Sequence, residues 1–241
     1  MEYKMALPKI KHPLFKLVVP STGETINYRP FTVQEEKLLL VVKMSDDLKE
    51  VIDAVKQVIK NCVVNDINVD KLAMFDIEYI FINIRKVSIS NVVELFYTHN
   101  DKKIPFSVDL DQVKVKFNPD HTDKIMISEN LGIKMRYPDL ETMMTMEFDV
   151  RVNNFDAAIV NDSIFNLIVK SIEYIFDDDK VYKDFTKDEI TEFLNSLRVE
   201  ELGKIQSFFS TMPAVQHEVE LDVDGEKVKV ELRGMKDFFT Y

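Results

Sequence analysis

Five glycines, at positions 23, 132, 203, 225 and 234, are all that this 241-residue chain contains. Average usage of ~7% would supply about three times as many. Their spacing decides what the backbone cannot do. No two lie two apart, so the G-x-G-x-x-G turn of dinucleotide-binding folds is missing. No pair lies five apart, which removes the P-loop. None lies four apart, which removes the G-x-S-x-G nucleophile elbow. The four histidines, 12, 99, 121 and 217, are scattered and form no H-E-x-x-H. The single cysteine, Cys62, makes neither an internal disulfide nor a zinc site of the usual kind. Cys62 also has no histidine near it in sequence and lies on an apolar stripe, so it reads as a small core residue. His99 and Asp101 sit in a hairpin tip and read as a surface polar pair. No catalytic, metal-ligating or cofactor-binding residue is expected, and no cofactor.

Gly225 marks the clearest local structure. Val215, His217, Val219, Leu221 and Val223 alternate with polar residues up to Asp224-Gly225, a two-residue turn with the φ > 0 that a type I′ hairpin needs. The implied register sets Asp222 opposite Lys227, Glu220 opposite Lys229, Leu221 opposite Val228 and Val219 opposite Val230. Glu218 opposite Glu231 is the one mismatch. Glu220, Asp222, Asp224, Gly225 and Glu231 also fall at calcium-loop spacings, with Glu in place of Asp at the first position. The strict alternation on both sides of the turn favours the hairpin. A second hairpin is expected over 14–31, turning at Pro20-Ser21-Thr22-Gly23 and ended by Pro30.

Helices are punctuated by capping boxes. Thr32 with Glu35, and Thr186 with Glu189, each let a side chain satisfy a free backbone N–H. The first helix runs to about Met44. Its apolar end, 38–42, predicts burial on more than one side. A second helix opens at Ser45, with Leu48, Val51, Ile52, Val55, Val58, Ile59, Cys62 and Val63 on one stripe. Residues 75–81 alternate like a strand, which periodicity does not separate from a helix, while the whole length of 70–87 and Asp70 as a possible N-cap favour a buried helix. Residues 91–137 are β-rich, in runs 92–97, 104–110, 113–117 and 125–137. Residues 138–212 are mainly helical, including a stripe of Ile164, Phe165, Ile168, Ile172 and Ile175. Asp177 to Asp179 form a solvated acidic loop between helices. The expected class is α+β: helical layers with small antiparallel β-hairpins and sheets, mainly helical. Three segments are expected: 1–87, 88–137 and 138–241, either separate or in one compact unit.

The formal net charge is −11. Phosphate neutralisation needs a basic excess, so nucleic acid is not an expected partner. No apolar run approaches the ~20 residues of a membrane span, and the N-terminus lacks a signal-peptide core. A cytoplasmic protein is expected, without membrane contact and without a small-molecule substrate.

Several blocks, in order, carry a resemblance. Leu7-Pro8-Lys9-Ile10, Pro20-Ser21-Thr22-Gly23 and Tyr28-Arg29-Pro30-Phe31 with Glu35-Glu36-Lys37 open it. Phe75-Asp76-Ile77-Glu78-Tyr79-Ile80-Phe81 with Arg85 and Ser88, then Arg136-Tyr137-Pro138 and Asp237-Phe238-Phe239, complete it. Together they resemble the baseplate hub and hub-assembly protein family of T-even-type myoviruses, over nearly the whole chain. Relatives in that family carry cysteine pairs in the hairpin tips, and this sequence has none there. The resemblance implies a non-enzymatic role in building the tail baseplate, with other baseplate hub proteins as partners. The protein would act in the host cytoplasm during assembly, as a chaperone or as a component kept in the virion. Candidate contact residues are Tyr28, Arg29, Phe31, Phe238, Phe239 and Tyr241, since aromatics and arginine dominate interface hot spots. The competing reading packs Tyr28 and Phe31 on the first helix and uses Phe238 and Phe239 to cap the last hairpin. An enzyme with an unrecognised site and a calcium-responsive module are the alternatives in other classes.

Overall fold

The computed structural model describes residues 10–43, 47–100, 102–152, 157–223 and 225–238. The N-terminal hairpin forms, with β1 (Phe15–Val18) antiparallel to β2 (Thr25–Tyr28) and Leu17 opposite Ile26. Gly23 supplies the positive φ of the turn, +72°. Thr32 then opens α1 (Val33–Lys43), and Glu35 accepts its N–H at 2.7 Å. Helix α2 (Leu48–Cys62) begins behind Asp47, whose carboxylate accepts the Lys49 N–H at 2.8 Å. The expected start at Ser45 lies outside the described residues.

The apolar block 70–87 is indeed helical over most of its length, as α3 (Met74–Ser88). Asp70 is not its N-cap. It belongs to a 3-10 turn, Val69–Lys71, and pairs instead with Lys56 at 2.9 Å and Lys60 at 3.3 Å. Asp76 serves the start of α3 from inside, accepting the Ala73 N–H at 3.2 Å.

Five strands follow: β3 (Val92–His99), β4 (Lys102–Asp109), β5 (Lys114–Lys116), β6 (Lys124–Met126) and β7 (Gly132–Met135). Helices α4 (Leu140–Val152) and α5 (Ala157–Ser171) come next, then β8 (Ile172–Phe176) and β9 (Val181–Tyr182). The chain closes with α6 (Lys187–Ser196), α7 (Val199–Thr211), β10 (Ala214–Val223), β11 (Glu226–Arg233) and the single turn α8 (Gly234–Asp237).

Two expectations need correction. The stripe from Ile164 to Ile175 is not one helix: α5 stops at Ser171, and Ile172 and Ile175 point inward from β8. Spacings of three and four do not separate the two states, and the open edge of β7 takes the β-branched, aromatic run Ile-Glu-Tyr-Ile-Phe as its partner. Arg136 ends the helix by donating its backbone N–H to Ser171 O and its Nε to Lys170 O, both at 2.8 Å. The acidic run 177–179 therefore turns a β8–β9 hairpin rather than linking helices. The second correction follows from the first. The protein is α+β, but not mainly helical: its described strands fill four antiparallel sheets, ordered β1-β2, β11-β10-β5, β3-β4 and β6-β7-β8-β9. The long-range pairing of β7 with β8 recruits a segment that looks helical in isolation.

The C-terminal hairpin keeps the expected register, including Glu218 opposite Glu231. Its ion pairs run diagonally, from Lys227 to Glu220 at 2.5 Å and from Lys229 to Glu218 at 3.0 Å. The diagonal brings a cation to Glu218 and so offsets the mismatch.

Buried apolar side chains gather in three clusters. The first holds the β1–β2 hairpin, α2 and one face of α3, through Ile77, Ile80 and Ile84. The second lies between the β3–β4 and β11-β10-β5 sheets and takes in Ile82 and Phe238. The third joins the four-stranded sheet to α5, α6 and α7. Helix α3 thus feeds two cores at once.

Candidate functional site

The sequence blocks that carry the family resemblance turn out to be the joints around α3. Asp76, 0% exposed, accepts the Ser21 backbone N–H at 2.9 Å and the Ser21 hydroxyl, which docks the Pro20-Ser21-Thr22-Gly23 turn on the helix. Burial pushes the Asp76 carboxyl above the usual carboxylate range despite these donors. Phe31 donates its N–H to Ser88 Oγ at 2.9 Å, at the other end of α3. Pro138 O accepts the Met74 N–H at 3.1 Å. Tyr137 packs edge-on against Phe75, centroids 5.0 Å apart, and stacks on His121 and Phe208 of the third core. Arg136-Tyr137-Pro138 is therefore the hinge piece between the first and third cores. Arg29 pairs with buried Glu35 at 3.0 Å. Burial raises the Glu35 carboxyl, but Arg29 and Thr32 more than offset this and hold it at about 2.

These joints surround an open groove of about 1000 Å³. Its floor is one face of α3: Met74, Phe75, Glu78, Phe81 and Arg85. One wall is α1, with Leu39 and Leu40. The facing wall is α4, with Met143, Met144 and Met146, and Phe209 and Met212 close the far side. Gly234 and Met235 lie where the C-terminal hairpin meets α3. Six of the chain's 11 methionines line this one groove. Among the described residues its charged lining residues are Glu36, Glu78, Arg85 and Arg233. Glu78 accepts the Met235 N–H at 2.9 Å, and Arg85 donates to Ser90 O at 3.0 Å. Both are committed to the protein. Among the described residues no group of three or more His, Cys, Asp or Glu could hold a metal ion.

A family model described as T4 bacteriophage base plate protein matches residues 12–240. The chain belongs to that family. No curated protein and no solved structure matches it.

Within this member of the family the sequence-derived contact residues fall into two groups. Tyr28 and Phe238 are buried, at 3% and 0% exposed, the first against Phe15 in the first core and the second inside the second core. Arg29 is spent on Glu35. Phe31 is half-buried and lines the groove. Phe239 and Tyr241 lie outside the described residues. The end of α1 departs from expectation: Leu40 and Val41 are 57% and 69% exposed. Among the described residues this apolar helix end is therefore surface rather than core. The groove methionines escaped notice because methionine carries no motif. The run Met143-Met144-Thr145-Met146 was the available signal. Among the described residues no helix is long and apolar enough to cross a membrane.

Proposed function

We propose that this member of the base plate family is a non-enzymatic assembly component of the tail baseplate hub, acting through protein–protein contacts in the host cytoplasm as chaperone or resident part. The observation that carries the reading is the methionine-rich groove with the exposed end of α1 on its rim. Unbranched, polarisable methionine side chains repack around a partner's apolar side chains, which suits a docking surface. An active site needs the opposite: convergent titratable groups with shifted proton affinity facing a substrate. Here the two acidic and two basic lining residues sit among apolar neighbours, and Glu78 and Arg85 serve backbone atoms. The acidic net charge of −11 supports protein partners over nucleic acid.

The test is affinity capture of the tagged full chain from phage-infected cells, with mass spectrometry of the co-purifying chains and of purified virions. Baseplate hub proteins are the expected partners. Presence in the virion would make the protein a resident part, and absence a chaperone. An eluate without any tail protein would overturn the assembly role.

A further inference from the structure

We infer that the groove receives an amphipathic α-helix of about four turns from another baseplate protein, laid along α3 with its apolar side on the methionines. The inference rests on the docking reading above and specifies its occupant.

Length comes first. Met74, Glu78, Phe81 and Arg85 follow at spacings of four, three and four, so one face of α3 is the floor from its first turn to its last. From Met74 to Ile89, which also lines the groove, sixteen residues at a rise of 1.5 Å make that floor ~24 Å long, the length of a similar helix.

Backbone chemistry selects helix over strand. Both long walls, α1 and α4, are helices, as is the floor. Helices have used their backbone N–H and C=O groups internally, and the one sheet edge that reaches the groove among the described residues, β11, does so only at Arg233, whose N–H already donates to Asp237. A segment entering an apolar trough must therefore satisfy its own backbone, and a helix does so.

Charge then selects the partner. The exposed rim charges, Glu36 on α1 and Arg233 at the end of β11, have opposite sign. The incoming helix presents a cation to the first and an anion to the second. The net charge of −11 favours a partner with a basic excess and disfavours a second copy of this chain, which carries the same charge.

The experiment places a photo-crosslinking residue in the full chain at Leu40, 57% exposed on the rim, or at Met143 on the opposite wall. Phe96, exposed on β3 and outside the groove, is the control position. Each variant is checked for native circular dichroism, produced in phage-infected cells and irradiated, and the adducts are mapped by mass spectrometry. Leu40 and Met143 should both mark one segment of one other baseplate protein, on residues recurring at intervals of three and four, and Phe96 should not. Adding Glu36→Lys should lower the yield about threefold or more, as expected for a rim charge. Adducts to a second copy, adducts on alternate residues of an extended segment, or co-purifying hub proteins without any adduct from the groove would each overturn the helix. Loss of all co-purifying baseplate proteins would overturn the docking reading itself.

Discussion

Glu78 Oε1 accepts the backbone N–H of Met235 at 2.9 Å, across 157 residues of sequence. The bond ties the face of α3 that floors the groove to the turn α8 that ends the C-terminal hairpin. Gly234 makes it possible. Its φ is +70°, and a Cβ there would stand 2.7 Å from the same Glu78 oxygen. Gly234→Ala therefore combines a strained backbone with a displaced carboxylate. It should lower stability by about 2 kcal/mol. Urea unfolding monitored by circular dichroism checks this, and a variant as stable as wild type would refute the account.

Glu35 sets an acid limit. Its folded-state carboxyl sits at about 2, below its ordinary value of 4.5. A depressed carboxyl stabilises the fold above its ordinary range and loses that contribution as pH falls through about 4.5 toward about 2. Glu35→Gln should cost about 2 kcal/mol at pH 7, because it leaves Arg29 without its counter-charge. The difference from wild type should shrink below pH 4 or so. Parallel stability curves across that range would contradict the assignment.

Cys62 should behave as an inert core atom. It is 0% exposed, and burial pushes its thiol up to about 11. Ellman's reagent should react with it orders of magnitude more slowly in native protein than in guanidinium. A rapid native reaction would mean that the end of α2 opens readily.

Phe238 distinguishes core from interface. It is 0% exposed in the second core. Phe238→Ala should cost about 3–5 kcal/mol by leaving a cavity. If the variant stays fully folded and loses only partner capture, Phe238 is a contact residue after all.

The diagonal ion pairs of the last hairpin are a contrasting case. Lys229 and Glu218 are exposed, and exposed pairs are weakened by solvent and salt. Lys229→Ala should leave the melting temperature unchanged within error, whereas Leu232→Ala, inside the second core, should lower stability by about 2–4 kcal/mol. A large loss from the lysine change would show that the register depends on charge.

The sequence alone determined what short-range chemistry controls. Capping at Thr32 and Thr186, the Gly23 and Gly225 turns, the register of the last hairpin and the core role of Cys62 all depend on residues within a few positions of one another. Local geometry leaves such segments few alternatives. The order of the family blocks was likewise legible from 20 to 238, although not the reason for it, which is that they bind the ends and sides of α3. Tertiary structure decided the rest. Whether Ile172 and Ile175 continue a helix or join a sheet depended on the open edge of β7. Whether Leu40 and Val41 are core or surface depended on which elements failed to pack over them. The groove depends most on distance. Met74, Met143, Met212 and Met235 share one wall-and-floor arrangement only because the first and third cores meet there, and an apolar side chain carries no local sign of whether it will meet its own chain or a partner.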